Sequence, residues 1–279
     1  MAEARVVGDF WVRVMEPDDY TTVLALINAD RLPGQPAAGP DLLTSPPADG
    51  LAPPTTLVLT DLTGTVCGVV HCAVRTRDGA GLIGWLHARE NFDATAALIA
   101  VARAHLGPAR MLYAGTGPTQ ASQPGTLPPP GIARRRRPAT TRALHAAGFT
   151  EAATRLYLHH PLTPAPAAPV FPLAELRPEA NPPGVQLTLV ETDGQPMATA
   201  VLHALDDERW QLRHLAVRED RRHRGIASHL LAQCLHTAHT RGATSLTAHI
   251  EENDHISARL LEHAGFTDVD ILTIHHRRP

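Results

Sequence analysis

The sequence predicts an α/β protein of the α+β kind, made of two tandem copies of one domain, each a mixed, mostly antiparallel sheet flanked by helices. Three observations carry this expectation. "RALHAAGFTE" (Arg142 to Glu151) and "RLLEHAGFTD" (Arg259 to Asp268) share Arg, Leu, Ala, Gly, Phe and Thr at matching positions, and each precedes a strand-like run ending in a histidine pair. "TTLVLTDLTGTVCGVVHCAV" and "VQLTLVETDGQPMATAVLHA" are each two β-type runs around a Gly-containing turn, as a hairpin requires. Ile226, Leu230, Leu231, Cys234, Leu235 and Ala238 recur at the spacing of one helix face. A single repeat of this length means a duplicated domain rather than a solenoid, which needs more and shorter units.

The copies are divided at "PLTPAPAAP" (Pro161 to Pro169), whose prolines favour an extended spacer over helix or central strand. The expected domains are 1–162 and 163–279. In the first, a strand (Phe10 to Met15) leads into a helix opening at "EPDDYTTVLALI", with acids in its first turn. The hairpin, the strand "GLIGWLH" and a helix within "HARENFDATAALIA" follow, with Asp93 suited to the N-cap. The proline-rich "GPTQASQPGTLPPPGIARRRRP" then reads as a long exposed loop before the final helix. Its run Arg134 to Arg137 has no interleaved aromatics, which favours a solvated or covering role over a grip on RNA.

The second copy reads as a hairpin (Val185 to Leu205), a strand (Trp210 to Val217), a turn and a helix (Gly225 to Thr240). A strand (Thr244 to Ile250), a helix (Ser257 to Ala264) and a last strand (Val269 to His276) complete it. Alternation along "RWQLRHLAV" sets Gln211 and Arg213 on the face of Val217 and turns His214 the other way.

Composition narrows the functions. The 279 residues are 43% hydrophobic and 19% charged with a net charge of −3, which suits a globular protein and gives no broad footprint for nucleic acid. No apolar run approaches the roughly 18 to 20 residues that span a bilayer, so the cytoplasm is the expected compartment and no membrane partner is expected. A monomer or a homodimer fits equally. The three cysteines are too few for a disulfide framework, and Cys67 and Cys72, five apart on one strand, diverge. Histidine pairs on strands diverge likewise, so the seventeen histidines read as ordinary core or surface residues and no metal site is expected.

The chemistry is concentrated in "REDRRHRGIASHL", Arg218 to Leu230. Arg222-x-x-Gly225-x-Ala227 lies between a strand and a striped helix, where the first amides of the helix lack partners and the macrodipole is positive. Gly225 and the small Ala227 let a phosphate approach those amides, and Arg222 and Arg224 add attraction. In the first copy the corresponding turn has no glycine and no arginine pair.

"LAVREDRRHRGIASHLL" resembles the acyl-CoA-binding segment of the GNAT N-acyltransferase superfamily, whose signature is Arg or Gln, two residues, Gly, one residue, Gly or Ala. "NDHISARLLEHAGF" resembles that family's closing segment. Together these cover most of the second copy. The first copy is similar only in element order and in "LHAAGF", so the whole resembles tandem-GNAT proteins, of which mycothiol synthase is one example. The resemblance implies acetyl-CoA as co-substrate, contacted by Leu215, Ala216 and Val217 on the strand, by Arg222, His223, Arg224, Gly225, Ile226, Ala227 and Ser228 at the turn, and by Asn253 and Asp254. It implies direct attack of a small-molecule amine on the thioester, with the Val217 amide near the carbonyl. Glu251, Glu252 and His214 are the candidate catalytic residues, with Asp254, His255 and His203 behind them. Many members place Tyr, which can protonate the departing thiolate, where this chain has Leu261. That departure keeps a non-catalytic acyl-CoA sensor or scaffold open beside the enzyme, and a protein or peptide acceptor is a further reading.

Overall fold

The computed structural model describes residues 5–45, 49–108, 111–115, 131–180 and 182–278. Its first half runs β1 (Arg5–Val7), β2 (Phe10–Val14), α1 (Tyr20–Ala29), α2 (Asp41–Thr44), β3 (Thr55–Thr60), β4 (Val66–Arg75) and β5 (Ala80–His87). It continues through α3 (Phe92–Leu106), β6 (Leu112–Ala114), β7 (Ile132–Ala133), α4 (Pro138–Ala146) and β8 (Thr150–Pro161). The second half is β9 (Glu175–Ala180), β10 (Pro183–Val190), β11 (Pro196–Ala204), β12 (Arg209–Val217), α5 (Ile226–Thr240), β13 (Ser245–Glu251), α6 (His255–His263) and β14 (Thr267–Arg277). Among the described residues no helix is long and apolar enough to cross a membrane.

The strands join in one continuous path, β1-β2-β3-β4-β5-β6-β14-β8-β13-β12-β11-β10-β9, with β7 on β14. Pairing is antiparallel except for β5 with β6 and β12 with β13. The last strands of the two repeats are exchanged. β8, from the first repeat, lies between β13 and β14, and β14 lies between β6 and β8. Each half is thus completed by a strand of the other, and the antiparallel β8–β14 pair forms the seam.

Alternation decides where the cores sit. Val185, Leu187 and Leu189 of β10 and Ala198, Ala200 and Leu202 of β11 face α5, meeting Leu230, Leu231 and Cys234 from the striped side of that helix. Leu98, Ile99 and Ala102 of α3 and Leu144 of α4 cover the corresponding face of the first half. The opposite face of the first half is covered by α1, through Val23, Leu26 and Ile27 packed on Val58, Val69 and Trp85. Among the described residues no helix takes that place in the second half, where β9 pairs directly with β10. That face carries no helix over β10 to β12, although Gln211 is 8% exposed and Thr247 of β13 is 1% exposed.

Several expectations are corrected. The N-cap of α3 is Asn91, in extended conformation, whose side chain accepts from the Ala94 N–H at 2.9 Å. Asp93 stands in the first turn, where its charge meets the dipole instead. β9 has no counterpart among the expected elements; it is an edge strand, where Pro178 is tolerated. α6 begins at His255 rather than Ser257 because the Asp254 side chain takes the Ser257 N–H. Most of the proline-rich stretch, 116–130, lies outside the described residues. From residue 131 the chain is built into the sheet, and its arginines diverge in fate. Arg135 and Arg136 are exposed, while Arg137 is 6% exposed.

Candidate functional site

The turn before α5 is held open by two left-handed residues, His223 at φ 59° and Gly225 at φ 75°. The helical ladder begins only where the His229 N–H reaches the Gly225 carbonyl at 3.0 Å. Among the described residues no acceptor meets the amides of His223 through Ser228, so consecutive donors converge at the positive end of a fifteen-residue helix. A Cβ built on Gly225 meets nothing within 4 Å, so the turn is open to solvent.

The arginines around this turn have separate tasks. Arg218 and Arg221 converge on Glu191, Arg221 through two bonds of 2.8 Å, and Arg218 also grips Asp220 at 2.7 Å. The two guanidinium groups hold the Glu191 carboxyl below its ordinary range, Arg221 most strongly. These residues build the turn. Arg222 is exposed and folds back to donate from Nε to the Val217 carbonyl at 3.2 Å. Arg224 is exposed with no acidic partner among the described residues, and so is the cation available to an anion.

Beside the turn the sheet parts. β12 and β13 pair from Arg209 with Ser245 to Leu212 with Ala248, and no further, although β12 runs on to Val217 and β13 to Glu251. A bulge accounts for the divergence: against β11 the register jumps from Leu202–Leu212 to Val201–His214, leaving Arg213 as the extra residue. The Arg218 N–H donates to the Met197 carbonyl at 2.9 Å. Because peptide groups alternate along a strand, the Val217 and Leu215 amides then aim away from β11, into the gap. The first half repeats the device with Gly84 as the extra residue and pairing of β5 with β6 ending at Ile83 and Ala114. There, however, the helix head carries a side-chain cap. Asn91 caps α3, and Glu90, at φ 56°, turns its carboxylate onto the amides of Ala139 and Thr140 and toward Arg137. Arg137 in turn is 3.3 Å from Asp30, which holds His87 at 2.7 Å.

The bulge also corrects the facing of β12. Gln211 stands opposite His203 and His214 opposite Val201, so both share the open face, while Val217 stands opposite the buried Ala198 on the α5 side. His214 is exposed there, without a hydrogen-bond or ion-pair partner among the described residues. A polar row crosses the same face. Glu179 reaches His203 at 3.3 Å across Gly184, whose missing side chain makes room, and the Gln211 amide meets His249 Nδ1 at 3.1 Å. Burial, with help from Arg213 and Arg155, pushes the His249 imidazole down to about 3. Its ring packs against Tyr157 at 5.0 Å, and the Tyr157 hydroxyl donates to the Pro33 carbonyl at 2.7 Å. The segment after α1 thus reaches across the seam onto β8 and β13. It lies so close that a Cβ on Gly34 would stand 2.6 Å from His159 and Thr247.

Of the acids singled out by sequence, Glu251 is at the mouth of the gap, its side chain 63% exposed and 3.5 Å from Arg155. Glu252 bonds Arg134 at 2.8 Å. Asn253 is exposed, and Asp254 is occupied as the cap of α6, with Ser257 holding its carboxyl below the ordinary range. His255 is exposed on the first turn of α6. Leu261 is 3% exposed in the core and offers no proton. The Gln211–His249 and Glu179–His203 contacts had no sequence signal, since each depends on strand order.

A sequence model of the acetyltransferase (GNAT) family matches residues 148–266, a span that takes in β8 as well as β9 to α6. No curated protein matches the sequence significantly. Among solved structures, the chain is similar to a GCN5-related N-acetyltransferase from Sphaerobacter thermophilus, with 16% identity, 99% of this chain and 98% of that one covered, and a TM-score of 0.67. It is also similar to a tandem GNAT protein from the clavulanic acid biosynthesis pathway, with 14% identity, 96% and 98% covered, and a TM-score of 0.61. A third likeness is to a GCN5-related glucosamine N-acetyltransferase region in a fungal multi-domain β-N-acetylglucosaminidase, at 13% identity and a TM-score of 0.62, covering 99% of this chain and 38% of that one. Residues 148–266 accordingly match the acetyltransferase (GNAT) family, and the chain as a whole has the fold of tandem GNAT proteins.

Proposed function

We propose that the protein is an N-acetyltransferase that moves an acetyl group from acetyl-CoA to the amine of a small molecule by direct attack. One observation carries the reading: the unpaired amides of His223 through Ser228 stand beside strands that stop pairing at Leu212 and Ala248. The donor set fits a diphosphate, with backbone N–H groups, a helix amino terminus and the free cation Arg224. The gap then receives the extended arm, and the Leu215 and Val217 amides donate along it, Val217 toward the thioester oxygen. When bound, acetyl-CoA supplies the activated acyl group. Asn253 lies at the far rim, and Asp254 acts there by fixing the start of α6.

The acceptor amine approaches from the open face. His214 is the base this arrangement favours, because it is on that face one residue past the bulge and is free of partners. Glu251 and Glu252 are drawn into pairs with Arg155 and Arg134. Glu179, His203 and Gln211 orient the acceptor. A small amine agrees with a face bounded by the Pro33–Gly34 segment, and with two similar proteins, one from the clavulanic acid biosynthesis pathway and one a glucosamine N-acetyltransferase region. In this reading residues 1–162 have lost donor binding and serve residues 163–279 as support and as one wall of the acceptor site. The test is release of free thiol from acetyl-CoA across a panel of amino sugars, polyamines and amino acids, with His214→Asn lowering kcat at unchanged coenzyme affinity. Leu261 in place of a proton donor favours the second reading, a non-catalytic acyl-CoA sensor. It predicts coenzyme-dependent thermal stabilisation with no thiol release from any amine.

A further inference from the structure

A second cluster lies at the seam, away from the gap. His275, near the end of β14, is 0% exposed, and among the described residues neither of its ring nitrogens has a hydrogen-bond partner. The Thr273 backbone comes near enough to favour the charged ring slightly without making a hydrogen bond of normal geometry. Orphaned polar atoms at such depth are uncommon and call for an explanation. Glu151 stands directly opposite His275 in the β8–β14 ladder, so the two side chains project from the same face as nearest cross-strand neighbours. His145, in the last turn of α4, overhangs that face with its ring 5.5 Å from the His275 ring. One donor atom from each of the three residues lies within 4.8 Å of the others.

We infer that His145, Glu151 and His275 form a binding site for a divalent transition metal of the zinc class. Two imidazoles and one carboxylate are the donor set such ions take from proteins, with a water or an exogenous group at the remaining position. Ligand bonds of about 2.0–2.2 Å require donors roughly 3.4 Å apart in a tetrahedron, so from at most 4.8 Å the cluster must contract by up to about 1.4 Å. The movable members can do this, because His145 and Glu151 are exposed while His275 is fixed in the core. Arg134 does not block the site. It lies 3.5 Å from Glu151 but bonds Glu252 at 2.8 Å, and it keeps that partner when Glu151 turns to a metal. The three ligands come from α4, β8 and β14, so the ion would clip the carboxy-terminal strand to the first half. The matching residues of the other repeat, Glu262 and Asp268, have no histidine opposite: Asp268 pairs with Leu158. The site therefore belongs to one half alone, and it stands whether or not the chain transfers acetyl groups.

The experiment uses full-length, untagged protein stripped with chelator and titrated with zinc ion alone against a competing chromophoric chelator. His145→Ala and Glu151→Gln serve as the variants, because both positions are exposed and their loss leaves the core intact, as circular dichroism will verify. The expected result is one tightly held zinc per chain in the parent, at least tenfold weaker binding in each variant, and a zinc-dependent rise in Tm that both variants lose. Equal stoichiometry and affinity in parent and variants would overturn the assignment, because zinc would then be held by scattered surface histidines. So would the absence of micromolar binding in the parent.

Discussion

The coenzyme assignment rests on Gly225, which can be tested with an internal control. At φ 75° an alanine is strained by about 1–2 kcal/mol, and its Cβ would project into the open space over the amides. In a chain of this size that strain lowers Tm by roughly 2–8 °C. If the backbone relaxes, the amides of Gly225 and Ile226 turn away; if it does not, the Cβ stands where the diphosphate must lie. Either way about two charge-assisted hydrogen bonds are lost, each worth roughly 1.5–3 kcal/mol, so Kd for coenzyme A should rise about 100-fold or more. Gly242, just past the other end of α5, is at φ 93° with the nearest foreign atom, the Asp207 carbonyl oxygen, at 3.8 Å. Gly242→Ala should therefore cost similar stability and leave Kd unchanged. Calorimetric titration with coenzyme A and thermal melts of both variants decide the matter. A Gly225→Ala protein that binds within threefold of the parent, or two variants that weaken equally, would refute the phosphate-turn argument.

Other perturbations follow from the same structure. Arg137→Met should destabilise the protein by about 3–5 kcal/mol in urea titrations, because Asp30 and Glu90 are left beside an uncharged neighbour. Lysine should not restore it, since the Arg137 guanidinium serves Leu86, Thr140 and Glu90 together. Gly34→Ala should lift the segment after α1 from β13, raising the acceptor KM while coenzyme Kd stays put; a parallel rise in both would count against the segment as an acceptor wall. Burial pushes His71 to about 4 and His249 to about 3, so both rings are neutral when folded at pH 5 and charged when unfolded. On unfolding these two rings take up about two protons, and His275, which burial lowers to about 4, adds to them, so stability should fall by at least roughly 2–3 kcal/mol per unit as pH drops from about 6 toward 4.5. A flat urea midpoint over that window would show that the two rings are solvated.

Local chemistry was legible and long-range pairing was not. The stripe Ile226 to Ala238 gave α5 to within a residue, and the two Gly turns gave both hairpins, because these signals lie within a few residues of one another. The free turn at Gly225 was legible for the same reason. The facing of Gln211 was misread, since it shares the face of His214 and not that of Val217, because a bulge adds one residue without leaving a mark on the alternation of "RWQLRHLAV". Asn91 displaced Asp93 as cap because extended backbone two residues earlier put its amide oxygen in reach. The strand exchange and the contacts of Gln211 with His249 depend on which strands become neighbours, and nothing in the hydrophobic pattern of β8 or β14 names a partner.

The crossing of β8 and β14 makes this chain a covalently closed version of a two-fold assembly. A lone repeat produced by itself would carry its final strand with no berth in its own sheet and would have to lodge it in another molecule, leaving raw edges until it did. Duplication in tandem turns that encounter between molecules into one within a single polypeptide, at a concentration set by the tether rather than by the cell. Cutting the chain at the proline spacer would therefore yield two fragments that survive only by reassociating.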